Sequence, residues 1–125
     1  MRSIPEINES DFEAEVLESK QPMLVSFWAA WSQRCRRLAG VLDEVHAECK
    51  GWAKVVKINV DANPHLGLWY GIQSIPTLLF FVNGEMRARI VGSAGKQEIL
   101  AALKPLAEAI PSIREANYQT TKWKT

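Results

Sequence analysis

The sequence predicts an α/β fold, a single domain in which helices flank both faces of a mixed central β-sheet. The segment MLVSFW (23–28) is almost continuously apolar, as is typical of a strand buried on both faces. A long amphipathic segment and a second β-branched segment follow it, the order of a right-handed parallel crossover. Asn83-Gly84 is a strong hairpin signal between two later strand segments, so an antiparallel pair completes the mixed sheet.

Two helices are predicted in the first half of the chain. A short helix is predicted to begin at Ser10, because Ser10 and Glu13 match a capping box. The main helix is predicted from Ser32 to about Lys50, where apolar residues recur with a period of 3.6. The residues that set this period are Leu38, Val41, Leu42 and Val45.

The second half of the chain contains the remaining elements. AKVVKINV (53–60) reads as a strand, and turn residues at 61–64 lead into a short helix that ends near Tyr70. LLFFV (78–82) and EMRARIVG (85–92) form the hairpin. A last helix is predicted from Ala94 or Lys96, and Pro105 makes its continuation doubtful. We predict a domain over residues 1–108 and a helical or loose extension over residues 109–125.

Charge and hydropathy exclude several classes of function. The 125 residues include 15 Lys and Arg and 14 Asp and Glu, a net charge of +1, so no global field favours nucleic acid or a membrane surface. The longest stretch without a charge, 62–84, is interrupted by Pro and Gly, unlike a membrane helix of about 20 apolar residues. The N-terminal segment turns acidic where a signal peptide is apolar. We therefore expect a cytoplasmic protein.

Several segments of the chain closely resemble the thioredoxin family. The similarity runs from Phe12 to Leu103 and includes FWAAW (27–31), KINVDANP (57–64), YGIQSIPTLLFFVNGE (70–85) and Gly92. The resemblance implies a thioredoxin fold. It also implies a redox site at Trp31-Ser32-Gln33-Arg34-Cys35, where a thioredoxin has Trp-Cys-Gly-Pro-Cys.

The resemblance assigns roles to three residues of the redox site. Two of them replace residues of the family's redox chemistry, and one is retained from it. Ser32 replaces the nucleophilic cysteine, and Ser26 replaces a buried acid that handles the proton of the second cysteine. Cys35 is the remaining candidate thiol. Because a hydroxyl cannot form a disulfide, an adduct at Cys35 would have no internal thiol to release it. Ser26 and Arg34 are further departures, which favour natural divergence over a single engineered change at position 32.

The resemblance also implies a groove for extended polypeptides. Trp31, Ile75, Pro76 and Gly92 are its expected binding residues, with Pro76 in the cis form and the backbone of Ile75 pairing with the bound chain. Further lining is expected from Gly71, Ile72 and Ser93. The alternative for Pro76 is a plain turn before the strand. Trp69, beside Tyr70, is a further candidate for an exposed aromatic contact with a partner.

Two functions are compatible with this motif. The first is a monothiol redox protein with weak or absent dithiol-disulfide reductase activity, which forms mixed disulfides through Cys35. The second is a non-catalytic module that binds protein or peptide clients in the groove. Ser-Gln-Arg-Cys resembles the motif of a bacterial chaperone-associated family of thioredoxin-like proteins, whose members continue into a long helical-repeat region. Arg34, Arg36 and Arg37 are either a solvated helix face or a patch for acidic groups.

Cys49 is a poor partner for Cys35. If both lie on one helix, 14 residues separate them by about 21 Å, whereas a disulfide requires Cα atoms within about 7 Å. The same spacing excludes a zinc site built from Cys35, His46 and Cys49. We expect no metal and no cofactor, and the sequence leaves open the reactivity of Cys35 and the oligomeric state.

Overall fold

The computed structural model describes residues 4–108, and its four strands form one mixed sheet. The strands are β1 (Met23–Trp28), β2 (Lys54–Asn59), β3 (Thr77–Val82) and β4 (Glu85–Val91), in the order β2-β1-β3-β4. β1 and β2 are parallel, whereas β1 pairs with β3 and β3 with β4 in antiparallel fashion. The predicted parallel pairing of the first two strands and the predicted hairpin are both confirmed.

Four helices complete the described part of the chain. They are α1 (Glu9–Phe12), which continues as a π-helical turn over Glu13–Leu17, α2 (Gln33–Glu48), α3 (Pro64–Trp69) and α4 (Lys96–Ala107). Each of these helices lies in a segment that the sequence predicted to be helical. The predicted extension, residues 109–125, lies outside the described residues.

Helices cover both faces of the sheet, and each face has its own core. On one face α2 and α4 pack on Leu24, Val55 and Phe80. On the other face the first helix and α3 pack on alternate residues of the same strands. Phe12, Tyr70 and Phe81 form an aromatic cluster there, with ring centroids 5.6 to 5.7 Å apart. The predicted architecture of helices on both faces of a mixed sheet is therefore confirmed.

The first and last helices differ from their predicted ends. α1 begins at Glu9 rather than Ser10, because Asn8 is the N-cap residue and its backbone N–H donates to Asp11 Oδ2 at 3.1 Å. α4 passes through Pro105 and ends at Ala107. A proline lacks the backbone N–H that would donate a hydrogen bond within the helix. Pro105 lies near the C-terminal end of α4, and the helix ends two residues after it.

The parallel pairing of β1 and β2 determines where the site lies. Both strands end at the same edge of the sheet, at Trp28 and Asn59, and the loops that follow lead into α2 and α3. The segment before α1 lies along the outer side of β2, since Ile7 N–H donates to the carbonyl of Lys57 at 3.0 Å. No helix within residues 4–108 is long and apolar enough to cross a membrane.

Candidate functional site

Ser32 is the N-cap residue of α2. Its backbone is extended (φ −87°, ψ 118°), and its hydroxyl oxygen accepts a hydrogen bond from the backbone N–H of Cys35 at 3.2 Å. Serine is among the preferred N-cap residues because its oxygen satisfies an N–H that has no partner within the helix. The side chain at position 32 is therefore engaged in capping the helix.

A groove lies in front of Ser32 and is called here the Trp31 groove. Its volume is about 560 Å³. The lining residues are Trp31, Ser32, Gln33, Arg34, Arg37, Val60, Ile72, Gln73, Ser74 and Ile75. The structure thus brings together Trp31, Ile72 and Ile75 of the predicted binding residues. Pro76, Gly92, Gly71 and Ser93 are not among the side chains that line it.

Trp31 is held at the mouth of this groove by a residue that the sequence analysis missed. The indole Nε1–H of Trp31 donates to Asp61 Oδ2 at 2.8 Å, while 68% of the residue remains exposed. Asp61 lies just beyond the end of β2 at Asn59, and Trp31 lies just beyond the end of β1 at Trp28. Because parallel strands end at the same edge of a sheet, the strand order was the signal that could have indicated this contact.

Ile75 lines the groove, and Pro76 and Gly92 lie next to it. The Ile75–Pro76 peptide bond is cis. Gly92 N–H donates to the carbonyl of Pro76 at 2.8 Å, and Gly92 has a φ of +93°, which glycine adopts without strain. Within residues 4–108, neither the N–H nor the carbonyl of Ile75 forms a hydrogen bond. Its backbone is therefore available to a strand-like partner.

Cys35 opens into a second space, called here the Lys57 cleft. This cleft has a volume of about 230 Å³ and lies between β1, β2 and α2. Its lining residues are Ile4, Ser26, Trp28, Cys35, Arg36, Ala39, Leu42, Asp43 and Lys57. Cys35 is only 7% exposed and is not among the residues that line the Trp31 groove. The two residues of the Ser-Gln-Arg-Cys motif that matter chemically thus face different spaces.

Ser26 and Lys57 lie side by side at the base of the Lys57 cleft. They are paired residues of β1 and β2, and Ser26 is 3% exposed. The Lys57 ammonium lies 4.8 Å from the ring centroid of Trp28, a cation–π contact. The indole Nε1–H of Trp28 is buried and has no partner among the described residues.

The three arginines around Cys35 are divided between the two spaces. Arg34 and Arg37 line the Trp31 groove, whereas Arg36 lines the Lys57 cleft. Arg36 Nη1 also donates to the carbonyl of Ala30 at 2.7 Å. The positive charge in front of Ser32 therefore comes from Arg34 and Arg37 rather than from all three.

Cys49 lies at the opposite end of α2 from Cys35, as its C-cap residue, and both thiols are free. Burial raises the pKa of the Cys49 thiol, which is fully buried and lies 3.6 Å from the carbonyl oxygen of Ala53. No group of three His, Cys, Asp or Glu side chains that could hold a metal ion occurs in the described chain.

The arrangement limits the thiol chemistry of the site. A thiolate at Cys35 can attack a disulfide, which gives a mixed disulfide and releases the other sulfur of that disulfide as a thiolate. The side chain hydrogen-bonded to the backbone of Cys35 is that of Ser32, whose oxygen cannot form an S–S bond. Release of such an adduct therefore requires a thiol from another molecule.

Comparison with known proteins agrees with the fold. The family model described as Thioredoxin matches residues 3–105. A thioredoxin from Griffithsia pacifica is 42% identical over 102 residues, which cover 82% of this chain and 94% of that protein. A thioredoxin from Rickettsia felis is 45% identical over 94 residues, 75% of this chain and 90% of that protein. The chain therefore belongs to the thioredoxin family, and the function that this membership supports is of the redox type.

Proposed function

We propose that this protein binds extended polypeptide segments in the Trp31 groove and has weak or absent dithiol-disulfide reductase activity. One observation carries the proposal. The groove is lined by Ser32, while the nearest thiol, that of Cys35, belongs to the lining of the separate Lys57 cleft. A polypeptide in the groove thus meets the capping serine rather than a nucleophilic sulfur. The proposed compartment is the cytoplasm, where thiols stay reduced.

The groove offers the contacts that an extended chain needs. The unpaired backbone of Ile75 can form strand-like hydrogen bonds, which supply affinity independent of sequence. Trp31 presents a large exposed aromatic surface, a residue type enriched in binding hot spots. Arg34 and Arg37 add positive charge at the same groove, which favours clients with acidic side chains.

A second candidate function is a monothiol redox role for Cys35. The observation that favours it is the Lys57 cleft, through which a small disulfide such as glutathione disulfide can approach the sulfur. Arg36 and Lys57 line the same cleft, and their positive charge attracts the negatively charged carboxylates of glutathione disulfide. In this role the protein forms a mixed disulfide that a second thiol must release.

The binding function is tested with a client that has no reactive sulfur. The probe is fluorescein-labelled insulin B chain, reduced and carboxymethylated, and binding is followed by fluorescence anisotropy. Trp31→Ala should weaken binding about tenfold, the effect of losing a binding residue worth roughly 1.4 kcal/mol. Trp69→Ala is the matched control, because Trp69 is 80% exposed but does not line the groove, and it should bind as the wild type does.

The reductase activity is tested separately with intact insulin and thioredoxin reductase. The wild-type protein should give turnover near background, and Ser32→Cys should raise it by restoring a dithiol. Robust wild-type turnover would contradict the proposal. Equal affinity of Trp31→Ala and wild type for the labelled B chain would show that the Trp31 groove is not the binding site.

A further inference from the structure

The Lys57 cleft contains more hydrogen-bond donors than partners. Ser26 is almost fully buried and lines the cleft, and its hydroxyl forms no hydrogen bond with any residue of the 4–108 range. The indole Nε1–H of Trp28, which lines the same cleft, is buried and has no partner among the described residues. Buried polar groups in native proteins are almost always hydrogen-bonded, so this donor indicates a partner from outside the chain, whereas the Ser26 hydroxyl is open to the cleft. Lys57 adds three further donors on one ammonium group.

The charge of the cleft is also unbalanced. Lys57 forms no ion pair in the described structure, and its ammonium contacts only the face of Trp28. Asp43 lines the same cleft, but its side chain is exposed and is not in ion-pair contact with Lys57 or Arg36. The Lys57 ammonium therefore has no anion as a partner among the described residues.

Ser26 and Lys57 are placed to act on one ligand. They are directly paired across β1 and β2, and paired residues on adjacent strands project side by side on the same face of the sheet. Both side chains line the same space. An ammonium beside a hydroxyl offers two donors, which matches the two oxygens of a carboxylate.

The size and charge of the cleft select the class of anion. Its volume of about 230 Å³ is several times the roughly 30 Å³ that a water molecule occupies, so an ion of a few heavy atoms enters with some of its water. Arg36 and Lys57 each contribute one positive charge to the wall and Asp43 contributes one negative charge, so the lining carries a net charge of +1. This net charge favours a single negative charge over a dianion.

We infer that the Lys57 cleft is a binding site for a small monocarboxylate anion of the formate or acetate class, held between the Lys57 ammonium and the Ser26 hydroxyl. The bound anion lies beside Cys35, which lines the same cleft. This site is separate from the Trp31 groove, so it stands independently of the proposed polypeptide binding.

The test is a two-dimensional ¹H–¹⁵N NMR titration of the full chain with sodium formate and with sodium acetate at constant ionic strength. Saturable shifts are expected at the amides of Ser26, Cys35 and Lys57. Sodium chloride and sodium phosphate are the comparison anions. Equal shifts with chloride would overturn the site as a carboxylate site, and tighter binding of phosphate would overturn the assignment to a single negative charge.

Two variants locate the anion, and one serves as a control. Lys57→Gln should weaken formate binding about tenfold or more, the effect of losing a charged hydrogen bond. Ser26→Asp should abolish binding, because a carboxylate attached to the chain occupies the position of the ligand. Lys54→Gln, on the same strand but outside the cleft, should bind as the wild type does. Unchanged formate affinity in a folded Lys57→Gln or Ser26→Asp variant would overturn the inference.

Discussion

The Ser32 hydroxyl accepts a hydrogen bond from the backbone N–H of Cys35 at 3.2 Å, so position 32 caps the helix that carries the single thiol of the motif. The replacement of sulfur by oxygen therefore has two effects. It removes the partner with which Cys35 could form a disulfide. It also provides an oxygen acceptor at a helix N-terminus, where serine is preferred.

The Ser32 cap of α2 should contribute to the stability of the protein. Ser32→Ala should lower the free energy of unfolding by about 1 kcal/mol, because the Cys35 N–H loses its acceptor. Ser10→Ala is the control: Ser10 lies in the first turn of α1, where Asn8 is the N-cap, and the change should stay within about 0.5 kcal/mol. Urea unfolding of both variants checks this. A larger loss for Ser10→Ala would show that the caps are assigned wrongly.

The two thiols should differ in their reaction with iodoacetamide. Cys35 lines a cleft, whereas Cys49 is fully buried and desolvation raises its pKa. We expect Cys35 to be alkylated first in the native protein, and Cys49 to react only at higher pH or after unfolding, because the thiolate is the nucleophile. Peptide mass spectrometry resolves the two sites, and denatured protein is the control. Faster alkylation of Cys49 would contradict the described burial.

Glu9 should make the first helix sensitive to acid. Its carboxylate accepts hydrogen bonds from the backbone N–H of Leu66 at 3.0 Å and of His65 at 2.8 Å, and the bond from Leu66 is the main cause that lowers the Glu9 pKa. A lowered pKa stabilises the fold above the ordinary value of 4.5, and this contribution is lost as the pH falls through the folded value.

Glu9→Gln is therefore expected to be less stable than the wild type at neutral pH. The difference should shrink below the ordinary carboxyl range, where the wild-type carboxylate becomes protonated. Urea unfolding across this pH range measures it. Glu13→Gln, the change of an exposed residue on the same helix, should show no such convergence. If Glu9→Gln and the wild type differed in free energy of unfolding by the same amount at all pH values, the charge of Glu9 could not be the cause of the difference.

Three glycines should respond to alanine in different ways. Gly92→Ala should cost about 1 to 2 kcal/mol, because the φ of +93° is strained for alanine although the space around it is open. Gly84→Ala should cost more, since its φ is +78° and the new Cβ would lie 3.0 Å from the carbonyl oxygen of Leu17. Thermal unfolding ranks the variants.

Gly40→Ala is the control, because it should raise the stability that the other two substitutions lower. Gly40 lies inside α2 without a positive φ, and nothing lies within 4 Å of the added Cβ. Alanine should therefore stabilise the helix by roughly 0.5 to 1 kcal/mol. Destabilisation by Gly40→Ala would show that α2 requires the glycine for a bend.

Much of the fold was predictable because it follows from local patterns. The apolar run of β1, the period of α2 and the Asn83-Gly84 turn each determined one element, and strand order then determined the sheet. The predicted start of α1 was wrong because two capping patterns overlap, one beginning at Asn8 and one at Ser10. Only the hydrogen bond of Asn8 with Asp11 distinguishes them.

The site was predictable only in part. Ser32 and Cys35 were recognised from the motif, but the sequence could not show that they face different spaces, which depends on the rotation of α2 over the sheet. The contact of Trp31 with Asp61 joins residues 30 positions apart, and the division of the arginines depends on the same rotation.

The central claim is that Cys35 has no thiol partner within the chain, and intact mass spectrometry under non-reducing conditions tests it most directly. Reduced protein is treated with glutathione disulfide, with Ser32→Cys as the comparison. We predict that the wild-type protein remains reduced or carries glutathione adducts, whereas Ser32→Cys forms an internal disulfide. An internal disulfide between Cys35 and Cys49 in the wild-type monomer would contradict the account.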